Sequence, residues 1–224
     1  AFGASYNPST ESIKLPALQT LLDGSKASID AVNIAQIAYS NAVGAREASF
    51  IPLNKLITRI NNSLKASGTT TQVIDSAQTI VRKLQGKRAV ARLTDEEIKE
   101  IQAEGKEVNQ ISVSQNSYDS RLGNFDKLIT LLVSVSDYKP NEEDLKIESL
   151  KALYAEFKAK NTDVLTATVQ LTNARIARND VMYKPVTGLV DVATQVKQYI
   201  KSVFGATSPL YKQVSNLNFT VRNL

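Results

Sequence analysis

The sequence predicts an all-α protein folded as an elongated antiparallel helical bundle with an internal duplication. Three observations support this prediction. The 224 residues include only nine Gly and six Pro, whereas a strand-rich chain needs frequent turns. The long segments between these breaks are rich in Ala, Leu, Ile, Lys and Gln, which favour helix, and their apolar residues recur at helical spacing. We expect three long helices of about 40 residues and about three shorter helices.

The strongest signal is a helix entrance that the chain contains twice. YNPSTESIKLPAL at Tyr6–Leu18 returns as YKPNEEDLKIESL at Tyr138–Leu150, with Tyr, Pro, Glu, Lys and the final Leu at the same spacing. The correspondence continues for most of the length of the two segments. We interpret the segments at about 6–80 and 138–217 as internal repeats within a single domain that spans residues 1–224.

Each repeat is predicted to contain a long helix, a break at proline, a second helix and a capped third helix. The long helices are marked by apolar stripes at helical spacing. The stripe of the first repeat comprises Leu15, Leu18, Leu22, Ile29, Val32 and Tyr39, and that of the second comprises Ile147, Leu150, Tyr154, Phe157, Val164 and Leu171. Pro52 and Pro185 fall within the helical pattern, so each should end or kink its helix.

A further helix is predicted to join the two repeats. Thr94-Asp95-Glu96-Glu97 has the pattern of a capping box, and an apolar face follows it as far as about Val135. This pattern predicts a joining helix over 94–135, the third of the long helices. Near the end of the chain, Asn216–Arg222 alternates like a strand. Because an isolated strand is marginally stable, we expect an extended tail that lies on the bundle or on a neighbouring molecule.

Two residue types that many enzymes use are absent. The chain contains no Cys and no His, which excludes a thiolate nucleophile, a thiolate metal site, a histidine proton shuttle and the Glu-x-x-His di-iron site of helix bundles. Phosphate-binding GxxxxGK loops, dinucleotide-binding GxGxxG turns and calcium-loop patterns are also absent. We therefore predict a protein that is not an enzyme, with no catalytic residue, cofactor, metal or small-molecule substrate.

The formal charge is +5 at pH 7, and one segment is strongly basic. This basic cluster, a candidate contact for an anion or a partner, comprises Arg82, Lys83, Lys87, Arg88 and Arg92. No aromatic residue lies among them for base stacking, and the acidic segment 95–100 follows at once. We favour a solvated connector and regard nucleic acid as the weaker alternative.

A pattern of Asn, Arg and an apolar residue occurs three times. It comprises Asn41, Arg46 and Phe50, then Asn116, Arg121 and Phe125, then Asn173, Arg178 and Met182. In one interpretation the arginines converge on an anionic ligand or partner, because a guanidinium group binds carboxylate or phosphate through two parallel hydrogen bonds. In the other, which we favour, these residues bond neighbouring turns or helices, and common descent explains the repetition.

No segment of the sequence is apolar over the length that crossing a membrane requires. The longest nearly apolar run is Leu128–Val135, whereas a spanning helix needs about 20 apolar residues. The chain begins at Ala1 rather than Met, from which we expect that a preceding segment was removed or omitted. We predict a soluble protein that is cytoplasmic or exported.

Several segments resemble those of a group of uncharacterised bacterial proteins that are all-helical. Besides the two helix entrances, these segments are NFDKLITLL at Asn124–Leu132, NARIARNDVMYKPVTGLVD at Asn173–Asp191 and KSVFGATSPLYKQV at Lys201–Val214. The resemblance extends over most of the chain after Leu53. No activity is assigned to that group, so the resemblance implies a bacterial source and gives no site residue.

The leading functional hypothesis is a non-enzymatic structural or protein-interaction bundle that binds copies of itself or another protein. Long duplicated helices offer extended faces for such contacts. One alternative is a membrane-active, pore-forming-like protein, which amphipathic helices and a basic charge would suit. The other is a weak nucleic-acid or anion binder that acts through the basic loop at 82–92.

Overall fold

The computed structural model describes residues 2–87, 96, 98–99, 103 and 116–220. The α-helices, numbered in chain order, are α1 (Leu15–Phe50), α2 (Leu53–Ala66), α3 (Thr71–Leu84), α4 (Tyr118–Val133), α5 (Ile147–Tyr183), α6 (Leu189–Phe204) and α7 (Pro209–Ser215). Short 3₁₀ turns cover Gly3–Ser5, Glu11–Ile13 and Glu143–Leu145. No strand occurs in the described part of the chain, which confirms the all-α prediction.

The longest helices, α1 and α5, contain 36 and 37 residues, close to the predicted length. Each ends just ahead of a proline: α1 ends at Phe50 before Pro52, and α5 ends at Tyr183 before Pro185. A proline ring clashes with the carbonyl of the preceding turn and disfavours helical backbone in the residue before it. The predicted breaks are therefore confirmed, and the chain continues as α2 and α6.

The predicted third long helix is wrong in its extent. A single helix over 94–135 requires helical backbone at Ser117, but Ser117 is extended (φ −62°, ψ 151°). Its side chain accepts a hydrogen bond from the Ser120 N–H and thereby caps the start of α4 at Tyr118. A serine that satisfies a free N–H group in this way favours the start of a helix over its interior. Most of the segment 94–115 lies outside the described residues.

The two helix entrances fold in the same way. In the first, the Tyr6 hydroxyl donates to the Ile13 carbonyl (2.6 Å), and in the second, the Tyr138 hydroxyl donates to the Leu145 carbonyl (2.9 Å). A 3₁₀ turn precedes each long helix, and a lysine–glutamate ion pair joins the turn to the residue that follows it. The matched sequences therefore adopt matched local structure.

The chain divides into two compact units. The first unit comprises Ala1–Asn41 and Leu165–Leu224, and the second comprises Ala42–Val164. Each unit thus combines the entrance of one repeat with the later helices of the other: α6 and α7 belong with Tyr6, and α2 and α3 belong with Tyr138. The sequence predicts a single domain over residues 1–224, and that statement stays a prediction.

The core of the second unit is well filled. Its buried apolar side chains come from the end of α1, from α2, α3 and α4, and from the second entrance with the start of α5. The largest completely buried members include Leu53, Ile57, Ile60, Leu64, Phe125, Leu128, Leu132, Leu150 and Phe157. Phe50 stacks on Phe157, with ring centroids 4.2 Å apart. Such a pair adds to the free energy gained by burial, so it holds the end of α1 against α5 within this unit.

The core of the first unit is smaller. Its buried apolar side chains, among the described residues, are Ile13, Ala167, Leu171, Val192 and Ile200. Three members of the predicted first stripe, Leu15, Leu22 and Ile29, are 66%, 42% and 42% exposed. The first stripe is therefore covered only in part, because this unit contains fewer helices than the second to cover it.

Candidate functional site

The Arg46 guanidinium group belongs to a polar network in the second unit. Its Nη1 donates to Asn161 Oδ1 (3.0 Å), and Asn161 Nδ2 donates to Asp119 Oδ1 (2.7 Å). The Asn161 side chain is buried, so its amide needs partners for both its oxygen and its nitrogen. The network therefore joins α1, α4 and α5 through bonds that a buried amide requires.

Aromatic rings lie against Arg46 and Arg121, the two arginines of the repeated Asn–Arg pattern that belong to this unit. The guanidinium carbon of Arg46 is 3.9 Å from the centroid of the Tyr118 ring, and that of Arg121 is 5.2 Å from the centroid of the Phe50 ring. Tyr118 packs edge-to-face on Phe50, with centroids 5.0 Å apart. A cation over an aromatic face gains about 0.5–2 kcal/mol. Arg46, Phe50, Tyr118 and Arg121 thus form one arginine–aromatic cluster.

Arg121 has fewer polar partners than Arg46. The Nε atoms of both arginines donate to no acceptor among the described residues, but Arg46 also donates through Nη1 to Asn161. Burial lowers the pKa of Arg121 below its ordinary value, and the neighbouring Tyr118 opposes that shift. A half-buried cation of this kind is the feature by which the arginine–aromatic cluster would attract an anion. The exposed Asp119 carboxylate next to the cluster reduces that attraction.

The structure brings two of the three predicted arginines into one cluster. Arg178 belongs to the first unit, where its Nε and Nη2 donate to Asn179 Oδ1 (3.2 and 2.8 Å). The asparagines of the pattern, Asn41, Asn116 and Asn173, are exposed. Arg46 bonds a neighbouring helix, whereas Arg178 bonds the adjacent residue Asn179, so bonding to neighbouring turns or helices stays a prediction. Anion binding by these arginines stays a hypothesis.

The basic cluster is described in part. Lys83 and Lys87 are exposed and Arg82 is half-buried, at the end of α3 and in the turn after it. Basic side chains near the end of a helix are favourable, because the last carbonyl groups have a partial negative charge. Arg88 and Arg92 lie outside the described residues. The solvated connector and the nucleic-acid alternative therefore both stay predictions.

An apolar groove on the first unit is a feature that the sequence did not predict. The groove has a volume of about 220 Å³. Its lining comes from α1, α6, α7 and the tail, and includes Leu18, Leu21, Leu189, Val196, Leu217 and Phe219. Lys197 is the charged member of this lining. Such a surface suits apolar side chains better than a polar small molecule.

The tail lies along this groove. Lys197 Nζ donates to the carbonyl groups of Ser215 (2.9 Å) and Leu217 (2.7 Å) and so holds the chain that follows α7. Leu217 and Phe219 then face the groove, as alternate residues of an extended segment do. The sequence predicts that the tail lies either on the bundle or on a neighbouring molecule. The described part of the tail lies on helices of the chain itself. This alternation is the sequence signal that points to an apolar surface under the tail.

Two lines of exposed apolar side chains run along helices of the first unit. The α1 line comprises Leu15, Leu22 and Ile29, and the α5 line comprises Leu165, Val169 and Ile176. Within each line the spacing places the side chains on one side of the helix. Twelve of the fourteen large apolar side chains that are exposed in the described ranges belong to this unit. Among the described residues, the exposed apolar surface is thus concentrated on the first unit.

Neither a metal site nor a membrane span is found in the described ranges. They contain no group of three or more His, Cys, Asp or Glu that could hold a metal ion. None of the helices described above combines the length and hydropathy needed to cross a bilayer. Comparisons with protein-family models, curated proteins and solved structures find no match to this chain. A proposal about its function therefore rests on the chain's own surfaces.

Proposed function

We propose that this chain is a non-enzymatic interaction protein that binds a second copy of itself or another protein through the first unit. The supporting observation is the unequal distribution of exposed apolar side chains, of which the first unit has twelve and the second has two in the described ranges. Contiguous exposed apolar surface is uncommon on monomeric proteins and marks sites of interaction.

The α5 line offers the clearest contact surface. Val169 is 59% exposed, and Leu165 and Ile176 are exposed to a similar degree. Complete burial of one such side chain contributes about 1.5–3 kcal/mol. A contact that covers the α5 line would therefore gain several kcal/mol toward association, before the cost of ordering the two partners is subtracted.

We also propose that the two repeats arose by an internal duplication. Support comes from the way in which each entrance contacts a later helix. In the first unit, Tyr6 packs edge-to-face on Tyr199 of α6, with ring centroids 5.3 Å apart. In the second unit, Tyr138 forms a hydrogen bond with Ser63 of α2. Ser63 and Tyr199 lie at the same distance from the first residues of their helices, as expected of two copies of one ancestral arrangement.

Antiparallel packing of the long helices is part of the same proposal. In the second unit, Phe50 at the end of α1 stacks on Phe157 of α5. Arg46, one turn earlier on α1, bonds Asn161, one turn later on α5. From the first contact to the second, the residue number decreases on α1 and increases on α5. This order supports an antiparallel pair of helices.

Size-exclusion chromatography with light scattering tests the self-association of the chain. We expect a concentration-dependent increase in mass from monomer to dimer. A variant with Val169→Glu and Ile176→Glu should stay monomeric, because burying two carboxylates in an apolar contact is costly. Ile51→Glu is the matched control, since Ile51 is 78% exposed and belongs to the second unit.

Two results would contradict the proposed function. A monomer at every concentration up to about 1 mM would exclude self-association. If the chain is then crosslinked in extracts of bacterial cells and no other protein is linked to the first unit, binding to a different protein is excluded as well. Equal dimerisation of the parent and of the Val169→Glu, Ile176→Glu variant would place the contact elsewhere.

Binding to an anionic membrane surface is a second candidate function. It is favoured by the exposed apolar lines together with the charge of the first unit, which has nine Lys or Arg against five Asp or Glu. Amphipathic surfaces of this kind bind anionic lipid through apolar burial and charge attraction. Co-sedimentation with phosphatidylserine vesicles, lost in the Val169→Glu, Ile176→Glu variant, would support this candidate. A chain that stays in the supernatant would exclude it.

A further inference from the structure

The groove of the first unit corresponds to a helix face that is covered in the second unit. Helices α6 and α2 begin at Leu189 and Leu53, and Val196 and Ile60 follow these residues at equal distance. Leu53 and Ile60 are completely buried, whereas Leu189 and Val196 are half-buried and line the groove. The corresponding face is therefore closed in one unit and partly open in the other.

The difference lies in the helices that cover this face. In the second unit, α3 packs on α2 and α4 packs on α3. Helix α4 contributes Phe125, Leu128, Ile129 and Leu132 to the same buried cluster as Leu53 and Ile60. In the first unit, α7 takes the place of α3 but contains seven residues where α3 contains 14. No helix in the described part of the first unit corresponds to α4.

We propose that the groove binds an amphipathic helix of a partner protein, which there takes the place that α4 has in the second unit. Such a helix would present apolar side chains at the spacing of Phe125, Leu128, Ile129 and Leu132, which is the i, i+3, i+4, i+7 spacing of helices that bind grooves. The proposal rests on the proposed interaction function and specifies the chemistry of the partner.

The charges near the groove favour an acidic helix. Helices α6 and α7 contain one carboxylate, Asp191, and three lysines, which are Lys197, Lys201 and Lys212. A partner helix with Asp or Glu beside its apolar side would be attracted by these lysines, and salt would screen the attraction. Helix α4 has Lys127 outside its apolar side and therefore gives a matched way to test the contribution of charge.

A synthetic α4 peptide provides the probe. A fluorescein-labelled peptide with the sequence of Tyr118–Val133 is titrated with the intact chain and followed by fluorescence anisotropy. We expect saturable binding with a Kd of about 1–100 μM. The same peptide with Lys127→Glu should bind about two- to fivefold more tightly at low salt and lose this advantage at about 0.5 M salt.

Variants of the intact chain locate the binding site. Val196→Glu puts a carboxylate into the groove and should weaken peptide binding at least about tenfold. Phe219→Ser removes an apolar contact at the exposed rim, where the core is not disturbed, and should weaken binding about threefold. Ile51→Glu, on the second unit, should bind as the parent does. If circular dichroism shows that Val196→Glu fails to fold, peptide binding by Phe219→Ser alone tests whether the groove is the binding site.

Three results would overturn the proposal. The first is no binding at protein concentrations up to about 1 mM. The second is equal binding by the parent, Val196→Glu and Phe219→Ser. The third is a dimer that Val196→Glu dissociates, since a second copy would then occupy the groove. The Val169→Glu, Ile176→Glu variant keeps the groove lining intact, so its light-scattering result tests the proposed function separately from peptide binding.

Discussion

Tyr138 and Tyr6 make the same backbone hydrogen bond in different surroundings. The Tyr138 side chain is 4% exposed. Burial raises the pKa of Tyr138 to about 12, nearby carboxylates add to the shift, and a hydrogen bond with Ser63 opposes it. Tyr6 is half-buried, and its pKa is raised by burial and by the neighbouring Tyr199. The same local structure therefore has a larger effect on ionisation where the surrounding core is better filled.

Tyr138 should make the protein less stable as the pH rises from 10 to 12. An unfolded chain loses a tyrosine proton near pH 10, whereas the folded protein keeps that of Tyr138 to about pH 12. Because the folded state binds more protons in this window, the free energy of unfolding falls as the pH rises, by about 2–3 kcal/mol above the folded pKa. Below pH 10 both states are protonated and the full contribution is present.

Urea denaturation of the parent and of Tyr138→Phe, followed by circular dichroism between about pH 8 and pH 12, measures this contribution. The Tyr138→Phe variant should lack this contribution, so its free energy of unfolding should decrease less steeply as the pH rises. Tyr6→Phe is the matched control and should change the decrease less. A parent and a Tyr138→Phe variant that lose stability in parallel would contradict the prediction.

The two arginines of the arginine–aromatic cluster should respond differently to loss of charge. Arg121→Met should be neutral or stabilise by up to about 1 kcal/mol, because methionine keeps the apolar stem and removes a half-buried charge. Arg46→Met should destabilise by about 1–3 kcal/mol, because it removes the donor to the buried Asn161 oxygen. Thermal denaturation measures both. A larger loss in Arg121→Met than in Arg46→Met would contradict the prediction and show that the contact of Arg121 with the Phe50 ring outweighs the cost of burying its charge.

At the scale of elements, local chemistry explains which predictions succeed. Helices α1 and α5 begin at an entrance turn and end at a proline, and both signals lie within a few residues of the helix end. The Ser117 cap is equally local, but the apolar pattern continues on both sides of it and conceals the break. Whether a stripe is covered depends on other helices, so the exposure of Leu22 and Ile29 could not be read from spacing.

The candidate sites were less predictable than the helices, for the same reason. Arg46 was singled out from its spacing, but its partner Asn161 is 115 residues away in the chain. The groove exists because the described part of the first unit has no helix that corresponds to α4, and a sequence records the helices that exist rather than the faces that they leave open. Comparison of the two units shows which helix face is left open.

The break between α5 and α6 contains a strained residue. Val186 has φ of 70°, a conformation that a β-branched side chain rarely adopts. Its N–H donates to Asp191 Oδ2 (2.8 Å), which helps to hold this conformation. Val186→Asn should therefore raise the free energy of unfolding by about 0.5–1 kcal/mol, because asparagine tolerates this region of φ and ψ. Urea denaturation measures the change, and a less stable Val186→Asn would contradict the prediction.

Gly188 gives the contrasting control in the same turn. A Cβ atom at Gly188 would lie 2.6 Å from the backbone nitrogen of Lys184, so the turn would have to shift to admit it. Gly188→Ala should therefore destabilise by about 1–3 kcal/mol. The opposite signs expected at Val186 and Gly188 separate strain in φ from lack of space.

At the scale of the whole molecule, neither of the predicted repeats contains all the residues of one unit. In the second unit, Arg59 of the first repeat pairs with Asp144 of the second, with Nη2 3.1 Å from Oδ1. In the first unit, the Asn7 N–H of the first repeat donates to the Tyr199 hydroxyl of the second (3.2 Å). Each entrance therefore depends on a helix of the other repeat, which links the stability of one repeat to the presence of the other.

The unequal cores of the two units predict unequal local stability. After correction for intrinsic rates, amide hydrogens of α6 should exchange at least about tenfold faster than those of α2, which corresponds to an opening free energy about 1.4 kcal/mol lower. The reason is that the groove leaves the α6 face half-open, while Leu53 and Ile60 on α2 are completely buried. Hydrogen exchange of the intact chain, followed by mass spectrometry, measures both helices in one sample. Saturating α4 peptide should slow exchange in α6 and leave α2 unchanged, because a ligand stabilises the state that binds it. Equal protection of α2 and α6 in the free protein would show that the open face has no energetic consequence.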